Sequence, residues 1–131
     1  MASIFTRIVQ GEIPSHKVAE TADFVAFLDV NPLVEGHVLV IPKKEVDYIF
    51  DLSDEEYAGL MLFAKIVAAG VKKAIPCKRV GVAVIGLEVP HAHVHLVPLN
   101  QMNDINFSQP KLKPSNEELA TVAQKIREAL A

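Results

Sequence analysis

Histidine alternates with small and aliphatic residues along His91-Ala92-His93-Val94-His95-Leu96-Val97. Successive side chains of a β-strand point to opposite faces, so this order puts three imidazoles on one face and Ala92, Val94 and Leu96 on the other. The apolar row packs; the imidazole row carries chemistry. Imidazole, with an ordinary pKa of about 6.5, serves as base, nucleophile, acid or metal ligand near neutral pH. As mere core residues, three histidines would each need a buried polar partner, which is costly. The stretch is therefore read as a site.

The rest of the chain supplies a scaffold for that strand. Ile4, Phe5, Ile8 and Val9 have helical spacing over Ser3 to Val9, and Gly11 to Pro14 break it. Lys17 to Glu20, Phe24 to Asp29 and His37 to Ile41 read as strands, with a proline-containing loop over Asn31 to Gly36. Ser53 and Glu56 form a capping-box signature ahead of a long periodic stretch with Leu60, Phe63, Ala64 and Val67, which fades near Pro76. Val80 to Ile85 and His93 to Val97 are strand-like, and Ser115 with Glu118 opens a final amphipathic helix ending near Leu130. Gln101 to Pro114 reads as a polar surface loop. This order predicts an α+β domain: a five-stranded antiparallel sheet, a long central helix and a C-terminal helix.

Composition narrows the partners. A chain of 131 residues, half of them hydrophobic, suits one domain with a real core. A net charge of −3 offers no basic footprint for a phosphate backbone, so no nucleic-acid partner is expected. No apolar run approaches the ~20 residues that span a bilayer, and no signal core follows the N-terminus, so a cytoplasmic protein without membrane contact is expected. The single cysteine, Cys77, is read as a small residue at a helix end, and His16 as solvated surface. Lys43 and Lys44 are read as a solvated turn pair rather than a phosphate clamp.

The seven-residue stretch matches the His-x-His-x-His-x-x pattern of the histidine-triad (HIT) family of nucleotide hydrolases and transferases, which this chain resembles. The similarity extends through Ile4-Phe5 with Ile8, Gly11-Glu12-Ile13-Pro14, Ala26-Phe27-Leu28-Asp29 with Pro32, and Gly36-His37 followed by Leu39-Val40-Ile41-Pro42-Lys43-Lys44. It covers about residues 3–99 of a single HIT-like domain over 1–131, with a C-terminal extension from about 100 to 131.

The resemblance implies a homodimer and a nucleoside monophosphate bound beside the triad. It makes His93 the nucleophile that attacks the α-phosphorus of a nucleoside phosphoramidate or dinucleoside polyphosphate; water then releases a nucleoside monophosphate, AMP being favoured. Such covalent catalysis divides one hard displacement into two easier ones. His95, two residues on and roughly 6.5 Å away along a strand, is assigned phosphate contact and proton donation. His91 and His37 complete a four-histidine cluster, in which a protonated member would neutralise charge growing on the phosphate. Asp29 takes the position of the acid that binds the ribose hydroxyls. Ile4, Phe5, Ile8, Phe27, Val30 and Leu39 align with the apolar base pocket; Phe5 and Phe27 are the preferred contacts, Ile8 reads as core, and purines are favoured by stacking area.

Three positions depart from the pattern. The turn before the triad is shortened to Gly86-Leu87-Glu88-Val89-Pro90, Glu88 replaces a hydroxyl residue, and an amide expected near Ile85 is missing. Glu45 stands where many relatives carry a histidine, and no function is attached to it. No cofactor is required, although a divalent cation could shield a polyphosphate substrate. Two other classes compete: a nucleotide-binding protein without turnover, and a zinc enzyme ligated by two histidines of the strand and a third from elsewhere.

Overall fold

The computed structural model describes residues 2–131. Helix α1 (Ile4–Val9) is followed by strands β1 (Lys17–Glu20), β2 (Phe24–Leu28) and β3 (Val38–Pro42), then helix α2 (Asp54–Ala74). Strands β4 (Arg79–Ala83) and β5 (Val94–Leu99) complete the sheet, and helix α3 (Asn116–Leu130) closes the chain. Short 3-10 turns occupy Ile49–Asp51 and Met102–Ile105, the second within the stretch read as loop. The sheet has five strands in the order β1-β2-β3-β5-β4, and every neighbouring pair is antiparallel.

Strand parity divides this sheet into two working faces. Ala26, Leu28, Val38, Val40, Val94 and Leu96 share the face that packs with Leu60, Phe63, Val67 and Val71 of α2 and with Leu119, Val122 and Ile126 of α3. Each such large aliphatic side chain taken out of water is worth about 1.5–3 kcal/mol. Val25, Phe27, Leu39 and Ile41 point the other way and pack with Phe5 and Ile8 of α1. Because Leu39 lies directly opposite Phe27 and His95 in the ladder, the alternation that buries the first set delivers Asp29, His37, His93 and His95 to the α1 side.

Local signals explain the helices. Both long helices begin with complete capping boxes, Ser53 with Glu56 and Ser115 with Glu118. α2 carries Asp54, Glu55 and Glu56 in its first turn and Lys72 and Lys73 in its last, matching the helix dipole, and Pro76 follows its end. Where α2 and α3 meet, Gly70 is required by space: a Cβ there would lie 2.5 Å from the Leu130 side chain.

Strand ends differ from the sequence reading for physical reasons. Asp29 and His37 sit just outside β2 and β3, because turns take over: the Asn31 N–H donates to the Asp29 carboxylate at 2.9 Å and the His37 N–H to the Val34 carbonyl at 3.2 Å. β4 ends at Ala83 opposite His95, so Val84 and Ile85 fall outside the ladder. β5 starts at Val94 rather than His93, since the Ala92 N–H donates instead to the Val46 carbonyl at 2.7 Å, and continues to Leu99 opposite Arg79. Ser3 is the N-cap of α1 rather than its first residue. Among the described residues, no helix is long and apolar enough to cross a membrane.

Candidate active site

Three elements bring four histidines together. Gly36, at φ +92°, turns the chain into β3; this left-handed conformation costs glycine little and sets His37 at the strand entrance. His37 is buried and its Nε2 lies 2.9 Å from His95 Nδ1, while its own Nδ1 lies 3.0 Å from the Leu33 backbone N–H. A backbone N–H can only donate, so His37 Nδ1 is the acceptor and its proton sits on Nε2. That proton is given to His95 Nδ1, which leaves the His95 proton on Nε2. One amide of the β2–β3 loop thus fixes the tautomers of two histidines.

A second chain of bonds fixes the other two. His93 Nδ1 lies 2.7 Å from the His91 carbonyl, which can only accept, so Nδ1 carries the proton and the Nε2 lone pair is free. By the same reasoning His91 donates Nε2–H to the Pro42 carbonyl at 2.7 Å and accepts at Nδ1 from the Ser3 hydroxyl at 2.9 Å. The edge of Phe5 meets the His93 ring at a centroid separation of 5.0 Å, and His93 and His95 are themselves 5.0 Å apart. A nucleophilic nitrogen and an N–H donor therefore belong to adjacent rings on one face.

The electrostatics correct one expectation. Burial, reinforced by the charges of His95, Lys111 and His93, pushes His37 down to about 3. Burial, with His93 and Lys111, pushes His95 down to about 4, and burial also lowers His91. Burial thus favours the neutral form of these three in the free protein, against the protonated member expected from sequence. Because each of these pKa values lies below its unfolded value near 6.5, the unfolded chain binds more protons in the intervening window. The contribution of these histidines to stability should fall as pH drops from about 6.5 towards 4 and be fully lost below about 3, where the lowered carboxylates, Glu45 among them, continue the decline, as urea unfolding across that range would show. A His95→Gln chain should show a shallower fall.

Asp29 sits beside this cluster, half-buried, with burial raising its pKa. Its Oδ2 is 3.8 Å from His37 Nε2, and Asp29, His37 and His95 each offer a ligand atom within 4.8 Å of the others. The donor set nevertheless does not fit a metal ion. To bind one through Nε2, neutral His37 would carry its proton on Nδ1, where it would face the Leu33 N–H donor to donor.

Of the expected base-pocket residues, Phe5, Ile8, Phe27 and Leu39 are buried in one cluster. Ile4 and Val30 lie outside that cluster and are 49% and 51% exposed. Lys43 pairs with Glu20 at 2.8 Å and Lys44 with Glu56 at 3.3 Å, as befits turn lysines. Glu88 and Ile85 are exposed; His16 and Cys77 are half-buried and outside the cluster.

Sequence reasoning missed a wall of the site. Phe107, in the segment read as surface loop, packs its ring edgewise on His95 at 4.7 Å and on His37 at 6.2 Å. Lys111 donates to the Phe107 carbonyl at 2.8 Å, and the Leu112 N–H donates to the Pro32 carbonyl at 2.9 Å, tying the segment to the β2–β3 loop. The available signal was an aromatic residue isolated in a polar stretch.

The HIT domain family model matches residues 10–102. The adenosine 5'-monophosphoramidase of Schizosaccharomyces pombe is 36% identical over 132 residues, covering 96% of this chain and 96% of the relative. Among solved structures, a HIT-like protein involved in cell-cycle regulation from Bartonella henselae superposes with a TM-score of 0.86 at 32% identity, covering 97% of this chain and 95% of that one. A zinc-bound histidine-triad protein from Mycobacterium smegmatis superposes with a TM-score of 0.85 at 26% identity, covering 99% and 94%.

Proposed function

Because this chain belongs to the HIT family, we propose that it is a nucleotide hydrolase that cleaves at the α-phosphate of a nucleoside phosphoramidate through a covalent His93 intermediate. One observation carries the reading: the His91 carbonyl holds the proton on His93 Nδ1 and leaves Nε2 free to attack. A bond forms from Nε2 to phosphorus as the bond to the leaving group breaks, and the departing amine takes up a proton from His95 Nε2–H, which the attacking water restores in the second step. Water then displaces His93 and yields the nucleoside monophosphate. His95 Nε2–H donates to a phosphate oxygen or the leaving atom, and preorganised donors of this kind supply much of the catalysis in such sites. Asp29 accepts from the ribose hydroxyls, and Phe5 and Phe27 face a purine base. Phe107 walls the leaving-group side.

The name of the Schizosaccharomyces relative supports a phosphoramidate over a dinucleoside polyphosphate, and AMP as the product. No metal step is needed, in keeping with the tautomer that Leu33 imposes on His37. On this reading the chain is a single HIT domain over 1–131, with a C-terminal extension from about 100 to 131. β4 is a sheet edge, and Val82, Val84 and Leu87 are exposed along it and just beyond, as are Leu62 and Ile66 on α2. An unpaired strand with apolar neighbours favours pairing with a second copy, so the proposed working form is a homodimer, with the cytoplasm as its proposed compartment.

The test compares adenosine 5'-phosphoramidate with a diadenosine polyphosphate, each with and without chelator. The reading expects faster release of AMP from the phosphoramidate and no loss in chelator. Binding of AMP without turnover of either compound would replace it with a binding protein, and turnover abolished by chelator would replace it with a metal enzyme.

A further inference from the structure

Glu45 and the first turn of α1 form a polar cluster against the triad that the catalytic reading above does not use. The Glu45 Oε1 atom accepts from the Ser3 backbone N–H at 2.6 Å and from the Thr6 hydroxyl at 2.6 Å. Ser3 Oγ, the N-cap of α1, accepts from the Thr6 N–H at 3.0 Å and donates to His91 Nδ1 at 2.9 Å. His91 Nε2–H is held by the Pro42 carbonyl, and the His91 carbonyl holds His93 Nδ1–H. Glu45 is thus linked to His93 through two residues that each bond on both sides, Ser3 by its backbone N–H and its hydroxyl and His91 by its ring and its backbone carbonyl.

We propose that Glu45 is a positioning residue: it locks the first turn of α1 onto the triad so that Ser3 pins the His91 ring and His91 in turn orients His93. Three features of the geometry support this. The Thr6 hydroxyl has one proton, and Glu45 receives it; Thr6 Oγ1 also lies 3.3 Å from His91 Nδ1 but has no second proton to give, so Ser3 is the donor to that nitrogen. The Pro42 carbonyl fixes the proton on His91 Nε2, and the Ser3 hydroxyl holds the bare Nδ1, so a flipped ring would lose both hydrogen bonds. The same turn carries Phe5, whose ring edge meets both His91 and His93, so an unlatched α1 would loosen His93 from two sides. The two bonds, that to Thr6 being the larger influence, also hold the Glu45 carboxyl down at about 2, so it is ionised near neutral pH.

Both bonds fall on one oxygen, and that makes the test specific. Glu45→Gln can still present a carbonyl oxygen to Ser3 and Thr6, whereas Glu45→Ala cannot. Glu45→Ala is expected to lower kcat by about tenfold or more, with KM changed by less than about twofold, while Glu45→Gln recovers kcat to within about threefold of the parent; misplacement of a reacting group costs rates of this order. Ser3→Ala combined with Glu45→Ala should lose little beyond Glu45→Ala alone, because both cut one series. If Glu45→Ala does not fold, Thr6→Val removes one donor at nearly constant shape and carries the same expectation at smaller amplitude.

The inference rests on the hydrolase reading, so a readout free of turnover accompanies it. Nitrogen-15 spectra of the imidazoles should show His91 in the parent protonated at Nε2 and hydrogen-bonded at a bare Nδ1, and in Glu45→Ala a shifted Nδ1 resonance as the bond from the Ser3 hydroxyl loosens while the Pro42 carbonyl still holds Nε2–H. A parent that turns over nothing would reject the hydrolase reading. A folded Glu45→Ala chain with the parent's His91 spectrum and kcat would reject the lock, and a Glu45→Gln chain as impaired as Glu45→Ala would reject the shared-acceptor geometry.

Discussion

Replacing His93 with alanine abolishes release of nucleoside monophosphate, by on the order of 10⁴-fold or more, while an adenosine nucleotide still binds; loss of a covalent nucleophile has effects of this size. The expectation follows from how the binding and bond-making parts are divided. Phe27 and Leu39 are held by β2 and β3 pairing, and Asp29 by its own turn, none of which passes through the His93 ring. The ring is nearly buried and meets the edge of Phe5, so its removal opens a small void beside α1 without unpairing a strand. The bond it gives up is to the His91 carbonyl, whose residue remains anchored through its own side chain at Pro42 and Ser3. Calorimetric titration with AMP alongside a turnover assay separates the two roles. Retention of more than about a hundredth of the parent's rate would mean that His93 is not the nucleophile.

Replacing His95 with alanine is the next largest change, lowering kcat by about 10²–10³-fold, the usual effect of deleting one preorganised donor to a developing oxyanion. The catalytic loss comes from the Nε2–H that the His37–His95 bond orients. A structural loss comes with it, since His37 Nε2–H loses its hydrogen-bond acceptor, the Asp29 carboxylate lying at 3.8 Å, and a buried donor left unsatisfied costs about 1–3 kcal/mol. Urea unfolding and turnover measured on the same preparation should therefore both fall. His37→Phe tests the division: His95 stays but loses the partner that fixes its tautomer, so kcat should drop by less than in His95→Ala. Equal rates for the parent and His95→Ala would remove His95 from the chemistry.

Much of this arrangement could be read from sequence where the signal is local. Ser53 with Glu56 and Ser115 with Glu118 announce both long helices because capping boxes are made within four residues. The histidine alternation announces the site face because parity is a property of the strand alone. What depends on distant partners was hidden. β5 begins at Val94 because Val46, far away in the chain, takes the Ala92 amide. Phe107 meets His37 across 70 positions, and Ser3 meets His91 across 88, so no window of sequence holds either contact. The charge state of the imidazoles was hidden for a related reason. The lowering at His37 and His95 comes first from burial, then from neighbouring histidines and Lys111, and neither burial nor Lys111 is legible before the segment after β5 is seen to fold over the site. Glu45 looked like an unexplained exchange for histidine until its two donors were in view.

The central claim is the bond between His93 Nε2 and phosphorus. The protein would be mixed with adenosine 5'-phosphoramidate, quenched within the first turnovers into mild base, where an N-linked phosphate survives, digested, and examined by mass spectrometry. A transient adenylate on the peptide carrying His93, decaying as AMP appears and missing in His93→Ala, is the predicted result. Steady release of AMP with no adduct on that peptide, or an adduct that persists in His93→Ala, would contradict the account.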